Sequence, residues 1–245
     1  YNMSCKKSKE EVDWVLSKDF IKYIKKSLNT SDVEIAGKIL FENNKDCTKD
    51  ICNKTSSVYT SGEGDNSSVS TPHGIINFHT HPKICYDDTN SIYGWPSGED
   101  MRQCIAFARK NNLIHIVFAM EGAYIIKVNN VIKPEDTKMV EDILKYTHEF
   151  RSPNPKKQNN MFQDMISILK LPKKGNPVDT WLNLVNNMSL KNIFILYNNK
   201  FRKNLKIPSD KSSVFSVKLV KYSNSGTIKF KTNYISEVCH KKSFR

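Results

Sequence analysis

This chain lacks the sequence features of several protein classes. Its six cysteines stand at irregular spacings with no Cys-x-x-Cys pair, whereas disulfide-stabilised folds are shorter and denser in cysteine. Its longest strongly apolar run, residues 113–120, is far too short to cross a bilayer. The first residues include no apolar segment typical of a signal peptide. We therefore expect a protein of a reducing compartment, the cytoplasm, without a membrane partner.

Arginine is scarce as well, with 5 arginines beside 33 lysines. The formal net charge is +13, and it is unevenly spread: residues 1–150 hold 19 basic and 21 acidic residues, whereas residues 151–245 hold 19 and 4. So basic a region favours a polyanion or an acidic protein as its partner. Because bidentate arginine is the usual reader of bases and phosphates, its scarcity weakens the case for specific nucleic-acid recognition.

The apolar pattern divides the chain into three parts. Residues 8–28 carry apolar side chains at helical spacing, which predicts an amphipathic helix for the N-terminal segment, residues 1–29. For residues 30–150, strand-like and helix-like segments predict an α/β fold, a mixed β-sheet flanked by helices. Residues 151–245 open with a linker-like segment at 152–157 and are predicted to form a small basic α+β region. Its predicted elements are helices at 161–171 and 178–188 and strands at 193–197, 214–221 and 227–234.

Two histidines in Phe78-His79-Thr80-His81-Pro82 end an apolar run typical of a buried strand. Residues i and i+2 of a strand project from the same face, so both imidazoles point to one spot. An aspartate further along the chain can supply a third, harder ligand. Three protein ligands leave one position of a tetrahedral Zn²⁺ open for water, which is typical of catalytic rather than structural zinc.

A second short pattern follows at Ser97-Gly98-Glu99-Asp100, where Ser97 is predicted to cap a helix with acidic residues in its first turn. A lone His-x-His pair or a lone Ser-x-x-Asp is weak evidence for a site. Together, and in this order behind Glu34 of an early predicted strand, they indicate a metal site.

With Glu34, His79-Thr80-His81-Pro82 and Ser97-Gly98-Glu99-Asp100, the chain resembles the JAMM, or MPN-type, zinc metalloproteases, a family that includes deubiquitinases. The family pattern is a glutamate in an early strand, then His-Ser/Thr-His-Pro, then Ser-x-x-Asp opening a helix. The resemblance covers about residues 30–150, a usual size for one domain. It implies a JAB-type fold with a layout like that of cytidine deaminases, a Zn²⁺ cofactor, and conjugates of ubiquitin or a ubiquitin-like protein as substrates.

The resemblance also implies a role for each matching residue. His79, His81 and Asp100 are expected to bind zinc. Glu34 is expected to act as the general base and then the general acid in the hydrolysis of an isopeptide bond. Ser97 is expected to donate a hydrogen bond to the developing oxyanion.

One spacing departs from the family pattern. Fifteen residues separate His81 from Ser97, where the family usually has seven. Either an insertion lengthens this connection and Asp100 remains the ligand, which we favour, or the third ligand has been lost. Asp87 and Asp88 are the fallback ligands.

Three aromatic residues of the same connection, Tyr86, Tyr93 and Trp95, either shape substrate entry or pack the loop onto the domain. His115 alternates into an apolar strand, so a structural role is expected for it. His73 is a rival ligand, although a solvated loop position is the favoured interpretation.

Two other hypotheses stay open. In the first, the chain is an inactive structural or virion-associated protein of the same fold. In the second, which is compatible with an enzyme, the basic C-terminal region is the working part and binds nucleic acid or an acidic partner. The composition, rich in lysine and asparagine, is typical of large DNA viruses and AT-rich protists, so the virion is a second expected location. The retention of all five matching residues favours the enzyme.

Overall fold

The computed structural model describes residues 3–41, 56–64, 68–88, 91–145, 164–172, 176–224 and 226–241. Most described strands join one six-stranded sheet. Its members are β2 (Ile35–Phe41), β3 (Ser56–Glu63), β4 (Ile76–Thr80), β5 (Ile114–Ala119), β6 (Gly122–Val128) and β7 (Phe215–Val220). The order across the sheet is β3-β2-β4-β5-β6-β7. Two further strands, β1 (Met3–Leu16) and β8 (Ile228–Lys241), form a separate antiparallel pair.

The sheet is mixed because one neighbouring pair, β4 and β5, runs parallel while the other pairs are antiparallel. Parallel neighbours need a long crossover. Here the crossover contains two helices, α2 (Lys83–Asp88) and α3 (Gly98–Ala108). The prediction of an α/β fold with a mixed sheet flanked by helices is therefore confirmed at the level of class.

Helices cover both faces of the sheet. They include α1 (Lys18–Thr30), α4 (Pro134–Lys145), α5 (Pro177–Asn186) and α6 (Leu190–Phe201). On one face, α1 packs Phe20 edge-to-face against Phe78 of β4 and Phe118 of β5. On the other face, α3 to α6 enclose a second cluster that includes Val117 and the fully buried Trp181. Because strand residues alternate between faces, His79 lies on the side of α3. In the part of the chain that is described, no helix is long and apolar enough to span a membrane.

The N-terminal segment differs from the prediction of a helix over residues 1–29. Residues 3–16 form β1, and the helix begins only at Lys18, where the Ser17 hydroxyl accepts a hydrogen bond from the Phe20 N–H. The cause is distant in sequence, because β1 pairs along its whole length with β8. The Trp14 indole N–H donates to Thr232 Oγ1 at 2.7 Å across this pair.

The predicted end of the α/β domain near residue 150 also differs from the structure. Strand β7 pairs with β6 in the main sheet, and α5 and α6 bury side chains in the same cluster as α3 and α4. The predicted strand at 193–197 is part of α6, with Ser189 as its N-cap. The predicted linker at 152–157 lies outside the described residues.

Candidate metal centre

The two histidines of the His-x-His pair lie at the end of β4, in the middle of the main sheet. His79 belongs to β4, and His81 follows it, with the His81 N–H donating to the Phe118 carbonyl of β5 at 2.8 Å. Both histidines are buried, with only 4% and 6% of their surfaces exposed. Their Nε2 atoms lie 3.1 Å apart. The strand thus presents two imidazole nitrogens to one point, as the i, i+2 spacing predicts.

Asp100 reaches the same point from the first turn of α3. The Ser97 hydroxyl accepts from the Asp100 N–H at 2.9 Å, and the Asp100 carboxylate accepts from the Ser97 N–H at 2.6 Å. This reciprocal capping box fixes where the carboxylate points. Asp100 Oδ1 lies 3.3 Å from His79 Nε2, and Oδ2 lies 3.5 Å from His81 Nε2. The structure therefore brings Asp100 to the histidines despite the long connection.

The three side chains fit a small tetrahedral cation. Ligands at about 2.0–2.1 Å from a tetrahedral ion lie about 3.3 Å from each other. Here the two Nε2 atoms lie 3.1 Å apart, and each lies near a different oxygen of Asp100, His79 at 3.3 Å from Oδ1 and His81 at 3.5 Å from Oδ2. His79, His81 and Asp100 are a group that can hold a metal ion. Two imidazoles and a carboxylate suit several divalent metals.

A chain of hydrogen bonds fixes the tautomer of His79. The Asn77 amide nitrogen donates to the Pro72 carbonyl, so its Oδ1 must be the atom 2.8 Å from His115 Nδ1. His115 Nδ1 therefore carries a proton and donates it to Asn77. Its Nε2 is then an acceptor, 2.9 Å from His79 Nδ1. Burial, with the nearby His79, lowers the pKa of His115 well below its usual range, which keeps this acceptor neutral. His79 Nδ1–H is thus the donor, and His79 Nε2 presents a lone pair.

His81 has a separate partner with the same effect. Its Nδ1 lies 2.8 Å from the carbonyl oxygen of Gly94, which can only accept, so Nδ1 donates and Nε2 presents a lone pair. Gly94 belongs to the long connection between the histidines and α3. Metal-binding histidines typically donate their second nitrogen in this way, which orients the ring and raises the basicity of the ligand.

Three lone pairs therefore meet within hydrogen-bonding distance, and they repel one another unless a cation lies among them. Without a metal ion, protons on the histidines can supply the positive charge. Burial alone would raise the pKa of Asp100. Attraction to and hydrogen bonding with His79 and His81 nevertheless hold that pKa well below its usual range. The carboxylate is ionised, as a metal ligand requires.

Glu34 lies beside this cluster, at the residue before β2. The N–H of the next residue, Ile35, donates to Thr80 Oγ1 at 2.9 Å, which ties the start of β2 to the end of β4. Glu34 is 6% exposed, and its Oε1 lies 3.8 Å from His81 Nε2. Burial raises the pKa of Glu34 above its usual range, although His81 and His79 oppose the shift. A raised pKa suits a carboxyl group that exchanges protons near neutral pH.

The other sequence candidates fall outside the cluster. Asp87 is exposed on α2 and His73 is exposed with its Nε2 at the Lys110 carbonyl, while the side chain of Asp88 lies outside the described residues. Trp95 stacks between Tyr93 and Trp181, which supports the packing role for these aromatics. His115 was expected to be only structural. The position of His115 beside Asn77 in the parallel pair of β4 and β5 is what links it to His79. This register follows from strand pairing and is not visible in the sequence.

Comparison with known proteins adds a viral relative. Over 71 residues the chain is 41% identical to an uncharacterized protein, 3R, of Frog virus 3 (isolate Goorha). The match spans 28% of this chain and 16% of the viral protein. No protein-family pattern and no solved structure matches the chain.

Proposed function

We propose that this chain is a zinc-dependent isopeptidase of the JAMM/MPN type, acting on conjugates of ubiquitin or a ubiquitin-like protein in the cytoplasm or the virion. The observation that carries the proposal is the meeting of His79, His81 and Asp100, with the Glu34 carboxylate 3.8 Å from one ligand atom. These are the matching residues of the family pattern, and they converge although the connection between them is long.

Zinc fits the donor set of two imidazoles and one carboxylate, and such a set leaves a coordination position for water. Held by His79, His81 and Asp100, the ion would act as a Lewis acid and lower the pKa of water to about 7. The two Nδ1–H donors and the capping box hold the ligands in place before the ion arrives. Little reorganisation is therefore needed on binding.

Glu34 supplies the proton transfers. Its buried carboxylate accepts the proton of the attacking water and passes it to the leaving amine of the scissile amide. Burial suits both steps, because the raised pKa of Glu34 favours holding the proton between them.

Ser97 is proposed to stabilise the oxyanion. Its capping bond with the Asp100 N–H uses a lone pair of the hydroxyl oxygen, so that bond does not consume the hydroxyl hydrogen. The hydroxyl is half-buried at the N-terminus of α3, where the helix dipole also favours negative charge.

An inactive scaffold is the alternative, but it has no need for four ionisable side chains at one buried point. A polyanion or acidic protein remains the proposed partner of the basic region. Within that region, an exposed loop at 202–211 carries Arg202, Lys203, Lys206 and Lys211, with Asp210 its acid.

The test combines zinc content with cleavage of isopeptide-linked ubiquitin dimers. We expect about one zinc per wild-type chain and cleavage that requires it. Glu34→Gln should keep the zinc but lower the cleavage rate at least about 100-fold, because only the proton-transfer group is changed. Glu135→Gln is the matched control, since this carboxylate is exposed on α4, and its rate should equal the wild-type rate.

A wild-type chain that binds no zinc would contradict the proposal. So would a Glu34→Gln variant that cleaves as fast as Glu135→Gln. Zinc binding without any cleavage of isopeptide or peptide bonds would favour the scaffold.

A further inference from the structure

One carboxylate fastens the long connection between His81 and α3 to the hairpin turn that follows β5, at the same end of the sheet as His81. Glu121 lies in the hairpin turn between β5 and β6. Its Oε2 accepts from the Tyr86 hydroxyl at 2.6 Å, and its Oε1 accepts from the Gly94 N–H at 2.8 Å and the Tyr124 hydroxyl at 2.7 Å. We define Glu121, Tyr86, Gly94 and Tyr124 as the Glu121 clamp.

Gly94 fits inside this clamp because it has no side chain. A Cβ added there would approach the Tyr86 hydroxyl oxygen to 2.0 Å, so only glycine allows the backbone to come this close to Tyr86. The Tyr86 hydroxyl in turn accepts from the Met120 N–H at 2.8 Å. The connection is thus held from both ends by the same hairpin.

The clamp continues directly to a metal-binding side chain. Glu121 holds the Gly94 N–H, and the Gly94 carbonyl accepts from His81 Nδ1 at 2.8 Å. The backbone of His81 is bonded to Phe118 of β5, three residues before Glu121. His81 is therefore fixed at its backbone and at its ring by the same strand and turn, through two separate paths.

We propose that Glu121 is a positioning residue for metal binding: through Gly94 it holds the His81 ring with its Nε2 toward His79 and Asp100. The long connection then completes the site instead of disrupting it. This inference rests on the proposed metal centre, but it does not depend on which bond the protein cleaves.

The experiment measures the zinc dissociation constant by chelator competition on the whole chain. Glu121→Ala removes all three bonds of the clamp, so we expect the constant to rise about 10–100-fold, as for other residues that orient metal ligands. Tyr86→Phe removes one hydroxyl, and we expect a smaller rise in the same direction, above threefold.

Tyr222→Phe is the matched control. The Tyr222 hydroxyl bonds to the same hairpin turn, at the Ala119 carbonyl 2.9 Å away, but this bond does not involve the clamp. Loss of either hydroxyl weakens the turn, whereas only Tyr86→Phe releases the connection. We therefore expect Tyr222→Phe to bind zinc within twofold of wild type.

A second measurement separates positioning from misfolding. In the zinc-loaded protein, the His81 Nδ1 proton should be hydrogen-bonded in wild type and in Tyr222→Phe. Its NMR signal should therefore show slow exchange with water in both proteins. In Tyr86→Phe it should exchange faster, while amide signals of β4 and β5 stay in place.

The possible outcomes are distinct. If wild type binds zinc, and both Glu121→Ala and Tyr86→Phe bind zinc as tightly as wild type does, then Glu121 does not position His81 and the metal centre stands. Equal losses in Tyr86→Phe and Tyr222→Phe would also overturn the inference, since they indicate general loosening of the turn. A wild-type chain without zinc affinity would overturn the metal centre itself.

Discussion

Replacement of His115 by phenylalanine tests the hydrogen-bond chain behind His79. His115 is 2% exposed, and its Nε2 accepts the His79 Nδ1–H at 2.9 Å. Phenylalanine keeps a flat ring in the same space but offers no acceptor. The change therefore removes little packing and two hydrogen bonds, the one from His79 Nδ1–H and the one to Asn77 Oδ1, and Asn77 Oδ1 keeps the Asn112 amide as a donor.

The cost of this change falls on the metal-bound protein. Without metal, His79 can move its proton to Nε2 and donate to Asp100 Oδ1, 3.3 Å away. With metal, Nε2 must present its lone pair, so Nδ1 stays protonated and loses the acceptor that His115 Nε2 provides. An unsatisfied buried donor costs about 1–3 kcal/mol. Since each 1.4 kcal/mol is a factor of ten, zinc affinity should fall about 5–150-fold.

The assay is chelator competition for zinc, together with the thermal unfolding of the metal-free protein. We expect His115→Phe to bind zinc about 5–150-fold more weakly, while the metal-free protein unfolds within a few degrees of wild type. His115→Gln is the rescue variant, because its amide can donate to Asn77 and accept from His79. Its affinity should lie close to wild type.

Two results would refute this reasoning. Zinc affinity of His115→Phe within twofold of wild type would show that the chain of bonds does not support His79. Equal losses in His115→Phe and His115→Gln would show that shape, and not hydrogen bonding, is what the site requires.

Two further substitutions test the packing that holds the site. Gly98→Ala places a Cβ 2.7 Å from the Glu141 carbonyl oxygen and 2.8 Å from the Lys145 backbone nitrogen, so α3 must move away from α4. Urea unfolding should show a loss of about 1–3 kcal/mol in the free energy of unfolding. Zinc binding should also weaken because Asp100 moves with α3, and unchanged zinc affinity would contradict this. Phe118→Ala removes one ring from the aromatic cluster with Phe20 and Phe78 and should cost about 3–5 kcal/mol in the same assay. Val131→Ala, at an exposed position, should cost under about 0.5 kcal/mol. Equal losses in these two variants would refute the assigned core.

Much of the central fold could be predicted because its signals are local. The apolar run before His79 marks β4, and Ser97 marks the start of α3. In each case the residues that decide the element are neighbours in sequence. The prediction of these elements is confirmed within a few residues.

The errors share a different cause. Residues 8–16 have apolar spacing that also suits a helix, but pairing with β8, more than two hundred residues away, makes them a strand. The run 193–197 is apolar enough for a strand, yet Ser189 caps a helix that buries Ile193 and Leu196. The boundary near residue 150 was wrong because the pairing of β7 with β6 has no local signature.

The sequence by itself determined the candidate ligands, since an i, i+2 histidine pair and a capping aspartate are local patterns with fixed geometry. Only the tertiary structure decided what supports them. His115 reaches His79 through the register of two parallel strands, and Glu121 reaches His81 through a loop that folds back onto a hairpin. Such partners are joined by hydrogen bonds between distant segments, so their positions follow from the whole fold and from no nearby residue.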